Sequence, residues 1–367
     1  MMSSVINWQI QFASIEKLHS QQHYADAEIC CHQLLEKSSS EPVNLVVQLR
    51  LHGYLFASLE AQARYPEAQT QLESAQTILG NVKAIYPPQI SLPLELDWLV
   101  NQGTLARMQG DYAQAEHCFQ TAIQLAKDQG HPPYPLRLKC LNNLAIVYKY
   151  WGRFEAADTL YRRLLADLIQ QQGEGCLEVA TIYHNLAGLH HARRHYEAAE
   201  PYARKSYQIH LHLLGPHHSQ TVADGAALAS ILHGLGQWDE AISHFEATIA
   251  FFEAQFGPAH YEVAINLNNL AASLQAKGNF EQAELAYRRA LTIKEALLGS
   301  EHPDIAISLN NLASLLQKTG REAEAAELFE QAIALFDATV GPDHPNTQLC
   351  RKNAAQVPTG SHAKHGL

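Results

Sequence analysis

Residues 262–303 read EVAINLNNLAASLQAKGNFEQAELAYRRALTIKEALLGSEHP, and their spacing decides the fold. Apolar positions fall three and four apart, first at Val263, Leu267, Leu270, Ala271 and Leu274, then at Phe280, Ala283, Ala286, Tyr287, Ala290 and Leu291. That spacing gives each of two helices one apolar face. Lys277-Gly278-Asn279 interrupts the pattern, a short breaker that folds the second helix back on the first. Leu298-Gly299 closes the second helix, because glycine takes up the left-handed conformation that caps a helix C-terminus. Pro303 then opens the next helix, where its missing N–H would be unpaired anyway. The unit is an antiparallel helix hairpin.

Counting outward by 42 from this unit finds the same residue types again. Gly173, Gly215, Gly257, Gly299 and Gly341 form one column, and Ala115, Ala157, Ala199, Ala241, Ala283 and Ala325 another. Three residues before the alanines stand Tyr112, Phe154, Tyr196, Trp238 and Phe280, with Glu322 ending the series. Asn101, Asn143, Asn185, Asn269 and Asn311 make a further column, broken by Ala227. A fixed period of this length marks a repeat array. The alanine lets two helices approach closely and the ring fills the gap left beside it.

Leu267-Asn268-Asn269-Leu270-Ala271, Gly278, Ala283, Tyr287, Arg289-Ala290-Leu291, Leu297-Leu298-Gly299 and His302-Pro303-Asp304 resemble the 42-residue tetratricopeptide repeat of the kinesin light chain type. The commoner unit of this kind has about 34 residues. The resemblance is specific from Asn101 to Pro345. Toward the N-terminus Tyr24 with Ala27 and Tyr65 with Ala68 keep the aromatic and alanine pair at spacings of 41 and 47. The resemblance implies an all-α, right-handed superhelical solenoid of antiparallel helix hairpins. Its expected organisation is two divergent pairs over 1–92, six regular units over 93–345, a capping helix over 346–357 and a disordered tail over 358–367. Kinesin light chains place a heptad coiled coil before their repeats, whereas residues 1–100 carry hairpin spacing. Ala203 replaces the ring found at Tyr161, Phe245, Tyr287 and Phe329, and Glu322 fits a polar cap on a terminal repeat.

Composition bounds the function. The chain has 367 residues, 47% of them hydrophobic and 17% charged, as a folded protein does. Repeats contact only their neighbours, so one elongated domain accommodates this length without a boundary. The Pro-rich stretches Tyr86 to Pro93 and His131 to Pro135 read as loops between hairpins. A net charge of −11 argues against a nucleic-acid binder, and Arg137, Lys139, Lys149 and Arg193-Arg194 read as a solvated face. Six cysteines without a regular framework read as buried small hydrophobes in a reducing compartment. No run of 18 apolar residues suggests a membrane span, and Met1 to Gln11 lacks the features of a signal peptide. The expected location is the cytoplasm.

The 21 histidines invite a metal or catalytic reading. His218, His260, His302 and His344 recur once per repeat in the inter-hairpin loop, too far apart to share an ion, and are expected to bond the start of the next helix. His190, His191 and His195 lack a shared face, His210 and His212 point to different sides, and Cys30-Cys31-His32 lacks zinc spacing. Phosphate-binding, serine-hydrolase and dinucleotide signatures are absent, and the carboxylates Glu324 and Glu327 suit a polar helix face. No catalytic residue, metal or cofactor is expected, and enzyme is the weaker class.

What remains is the surface of the first helices, expected to line a concave groove. An amide offers donor and acceptor together, so a row of amides can hold the backbone of an extended peptide. In tetratricopeptide domains that clasp peptide tails the matching column contacts ligand. The candidate groove residues are Asn101, Asn142, Asn143, His184, Asn185, Asn268, Asn269, Asn310 and Asn311. Alternatively each Asn bonds a neighbouring helix and orders the stack. Further along the same helices lie Arg107, Lys149, His191, His233, Gln275 and Gln317, cationic at one end and neutral at the other, which suits a peptide with an acidic segment. The Ala227 gap divides the row. The expected function is a protein-interaction adaptor for an extended peptide segment. A peptide-sensing receptor and a self-assembly module are the alternatives.

Overall fold

The computed structural model describes residues 7–20, 23–39, 44–62, 64–128 and 134–357. Among them the chain forms seventeen helices and no strand. In chain order they are α1 (Trp8–Ser20), α2 (Tyr24–Ser39), α3 (Leu45–Ala61), α4 (Tyr65–Ile85), α5 (Pro88–Met108) and α6 (Tyr112–Asp128). Next come α7 (Tyr134–Tyr150), α8 (Phe154–Gln172), α9 (Leu177–Ala192), α10 (Tyr196–Leu214), α11 (Ser219–Gly234) and α12 (Trp238–Phe256). The last are α13 (Tyr261–Lys277), α14 (Phe280–Leu298), α15 (Pro303–Lys318), α16 (Glu322–Thr339) and α17 (Pro345–Ala354). Odd-numbered helices are the first arms of hairpins and even-numbered helices the second arms.

The chain divides into two compact units, Met1–Ala166 and Asp167–Leu367, and the division falls within the sequence of α8. Repeats of this kind make their contacts chiefly with their neighbours.

The alanine column behaves as packing chemistry requires. Ala115, Ala157, Ala199, Ala241, Ala283 and Ala325 are each 0% exposed, and so are Ala27 and Ala68 of the divergent pairs. The ring three residues earlier acts one hairpin further on. Tyr196 lies so close to Gly234 that a Cβ there would meet its ring at 2.6 Å. Tyr112 sits 6.2 Å from the Trp151 ring, and the Lys318 ammonium stands 5.4 Å above Phe280. Tyr112, Tyr196 and Phe280 therefore cover the end of the next hairpin's first arm. After Glu322 the next first arm is the short α17, which ends at Ala354 before reaching that point.

The column of Phe119, Tyr161, Phe245, Tyr287 and Phe329 is buried throughout. In the hairpin with Ala203 the rings of Tyr183, Tyr202 and His190 stack on one another at 6.0 and 5.7 Å. Cys31, Cys118, Cys140 and Cys350 are buried, and all six cysteines are free thiols.

The turns follow from backbone conformation. Gly110, Gly152, Gly236, Gly278 and Gly320 all have φ between 76° and 96°, and Arg194 takes their place in one hairpin at φ 58°. Of the inter-hairpin glycines, Gly215, Gly257 and Gly299 combine positive φ with ψ near 170°, an extended region reached almost only by glycine rather than the left-handed helical cap expected from sequence. His218, His260, His302 and His344 then cap the next helix, each accepting through Nδ1 from the backbone N–H two residues on, at 3.2 to 3.3 Å. The imidazole satisfies a donor that the helix start leaves unpaired.

One expectation fails at the prolines. Tyr86 and Pro87 join α4 to α5, but Pro88 opens α5 and Pro93 lies inside it. Proline suits the first helical position, and Pro93 is exposed within the first two turns. Tyr134 and Pro135 likewise begin α7, while His131–Pro133 and the 358–367 tail lie outside the described residues.

Arg194→Gly should stabilise the fold by about 0.5–1 kcal/mol, since only glycine adopts positive φ without strain, as read from urea unfolding. His302→Ala should cost about 1 kcal/mol by removing a helix cap, and His302→Asn, whose side chain also accepts, should restore most of it.

Candidate peptide groove on the first helices

All fifteen candidate residues occupy first-arm helices and are partly buried, neither sealed in the core nor fully in solvent. Their amides are used in two ways. Asn311 Nδ2 donates to Asn268 Oδ1 at 3.4 Å, and Asn353 Nδ2 donates to Asn310 Oδ1 at 3.0 Å, each joining one first arm to the one before it. Asn310 Nδ2 also reaches Asn311 Oδ1 at 3.3 Å. Asn353 stands 42 residues after Asn311, so α17 extends the column. Asn143 bends back to the Lys139 carbonyl of its own helix. Asn142 and Asn185 also have partners. Asn101 and Asn269 have no side-chain hydrogen bond among the described residues. Ordering the stack is therefore one role of the row, and it leaves unused donors and acceptors on the same face.

Two residues of the second row, His233 and Gln275, meet in the C-terminal unit. His233 of α11, Gln275 of α13 and Asn311, Ser314 and Lys318 of α15 line a depression of about 360 Å³. Three consecutive first arms thus share one polar surface. His233 is tied to Ser273 at 3.0 Å, and burial lowers its pKa below the usual histidine value. Tyr287 donates to Gln275 Oε1 at 3.3 Å, and the Gln275 amide hydrogens have no partner among the described residues. Lys318, absent from the sequence-based row, adds a cation to a stretch expected to be neutral. Gln317 lies beside it on α15, and His191 meets the Tyr196 ring edge-on at 5.6 Å.

In the N-terminal unit Arg107 and Lys149 supply the cations. The buried Arg107 Nε has no hydrogen-bond partner among the described residues. Lys149 stands 5.7 Å from the Tyr150 ring, and burial lowers its ammonium pKa.

His184 has a different partner from the one expected. Its Nδ1 lies 2.6 Å from Asp224 Oδ1, while His210 Nδ1 and Ser206 Oγ approach Asp224 Oδ2 at 2.7 and 2.5 Å. A carboxylate only accepts, so both imidazoles donate through Nδ1. Asp224 and His210 are each 3% exposed, and His210 Nε2 has no partner among the described residues. Burial alone would raise the Asp224 pKa, but the bonds from His184, His210 and Ser206 outweigh it and hold the carboxyl below its ordinary value. The sequence signal was Asp224 itself, set in a column of Cys140, Ile182, Asn266 and Ser308. Among the described residues no group of three or more His, Cys, Asp or Glu is placed to hold a metal ion. No helix there is long and apolar enough to cross a membrane.

These features define a helical-repeat interaction surface. The tetratricopeptide repeat family profiles match residues 94–170, 179–220, 221–296, 262–338 and 304–357, and the chain belongs to that family. Its 42-residue repeats are of the kinesin light chain type. A putative kinesin light chain from Podospora anserina with nearly identical TPR-like repeats is 26% identical, with a TM-score of 0.50 over 56% of this chain and 98% of that one. BtubC (BKLC) from P. vanneervenii is 24% identical, with a TM-score of 0.55 over 63% of this chain and 92% of that one. The apo form of RapI shares the fold at 15% identity and a TM-score of 0.60, over 83% of this chain and 85% of that one.

Asp224→Ala should cost about 3 kcal/mol at neutral pH, since it leaves the buried His210 imidazole and the Ser206 hydroxyl without their acceptor and removes the bond from the partly exposed His184. The folded carboxyl titrates below its unfolded value of about 3.9, so its stabilisation is complete above about pH 4 and is lost as pH falls through the folded value. Urea unfolding of both proteins should show their difference shrinking below about pH 4. A difference unchanged through the acid range would contradict the assignment.

Proposed function

We propose that the protein is a non-enzymatic adaptor that holds an extended segment of a partner protein along its first-arm helices. The observation that carries this reading is the shared depression, where His233, Gln275 and Asn311 of three consecutive hairpins present polar groups to one surface. Asn269, with no side-chain hydrogen bond among the described residues, is available to hydrogen-bond a bound backbone. Main-chain recognition of this kind tolerates varied side chains, which suits an adaptor.

The preferred segment is acidic. Lys318 borders the depression in one unit, and Arg107 and Lys149 supply positive charge in the other, within a protein of net charge −11. Charge complementarity of this sort speeds association and selects partners. Neither nucleic acid nor a membrane is the intended partner. The six free thiols suit the cytoplasm, whose reducing conditions keep them so.

Asn269→Ala and Asn311→Ala separate the binding role of the row from its ordering role. With a fluorescent acidic peptide library, Asn269→Ala should weaken binding by about fivefold, one lost hydrogen bond, with melting unchanged. Asn311→Ala should lower stability by about 1 kcal/mol because it breaks a link between helices. Equal stability losses without any change in peptide affinity would overturn the groove.

A further inference from the structure

Three consecutive first arms of the N-terminal unit carry charge at one register position. Lys139 follows Asp97 by 42 residues, and Arg50 precedes Asp97 by 47, the spacing that separates Tyr65 from Tyr112. The sequence is therefore positive, negative, positive on α3, α5 and α7. In the later hairpins the same position holds Thr181, Ala223, Ile265 and Ile307, so no repeat requirement explains the charges.

All three side chains line one depression of about 430 Å³, together with Tyr54, Trp98 and Asn101. Among the described residues they form no ion pair or hydrogen bond with one another. Arg50 is instead held 5.6 Å from the Phe12 ring. Asp97 is open to water yet crowded by protein atoms, which pushes its carboxyl pKa above the usual range while Lys139 and Arg50 pull it down.

The walls are fixed. Trp98 Nε1 donates to the Leu72 carbonyl at 3.2 Å, and Tyr54 donates to Glu16 Oε1 at 2.5 Å, which fixes the second carboxylate of the lining. Gly53 keeps the wall low, since a Cβ there would meet only Asn101 Nδ2, at 3.9 Å. The cavity thus offers two cations, the carboxylates of Asp97 and Glu16 and an aromatic wall, in the size range of small-molecule sites.

We propose that this depression binds a free α-amino acid with an aromatic side chain, its carboxylate held by Arg50 and Lys139, its ammonium by Asp97 and its ring against Trp98. A zwitterion is the ligand that answers both signs of charge at once within so small a space. This site shares Asn101 with the first-arm row described above, but the charges that carry it, Arg50, Asp97 and Lys139, are no part of that row, so it stands without the peptide reading.

Calorimetry on the full chain with three probes tests it. L-phenylalanine carries both charges, 3-phenylpropionate lacks the ammonium and phenethylamine lacks the carboxylate. Phenylalanine should bind, and each one-charge probe should bind about tenfold more weakly or worse, the loss of one charged hydrogen bond. Asp97→Asn should weaken phenylalanine by a similar factor and leave 3-phenylpropionate unchanged. Arg50→Gln with Lys139→Gln should weaken phenylalanine and 3-phenylpropionate and leave phenethylamine unchanged. Circular dichroism melting should be the same for all variants, because the three side chains are exposed. No heat with millimolar phenylalanine, equal binding of the three probes, or losses that track melting would overturn the proposal.

Discussion

Close helix approach at a buried alanine, repeated in every hairpin, is the constraint on which the rest of the structure depends. A methyl group is the largest side chain the crossing admits, and the eight alanines at this position are 0% exposed. With both arms held that close, the ring three residues earlier projects past its own hairpin onto the next, as Tyr196 does over Gly234. One small residue and one large one therefore set both the hairpin and its neighbour's place. Identical packing then delivers the same first-arm positions to the same surface, hairpin after hairpin, within each unit.

Polar residues on that surface serve two demands. Links such as Asn311 to Asn268 and Asn353 to Asn310 stitch consecutive first arms, and the Asp224 cluster stitches α9, α10 and α11 through a buried carboxylate. An amide has more hydrogen-bonding capacity than one such link uses, so ordering the stack and holding a ligand are compatible. Asn311 and Asn353 each bond an amide 43 residues earlier, and the residue 43 before Asn269 is Ala226, which has no polar side chain to bond.

Most of the fold was legible because periodicity records packing. Gly278 ended the first arm, Ala283 marked the crossing and His302 the start of the next helix, all where spacing placed them. Pro88 and Pro93 misled because proline signals a loop in the abstract, although a helix accepts it at the start. The Asp224 cluster was not legible, since Ser206, His210 and His184 converge only through packing between hairpins. Asp97 and Lys139 were visible as a 42-residue pair of opposite sign, but the cavity that joins them depends on helix placement no spacing reveals. The link from Asn311 to Asn268 was likewise hidden, because an amide's partner is a matter of ångströms.

Hydrogen–deuterium exchange with and without a bound acidic peptide tests most directly the claim that the first arms form the ligand surface. Protection that rises along α11, α13 and α15, with α12, α14 and α16 unchanged, is the predicted result. Protection confined to the second arms, or spread evenly over both, would contradict it.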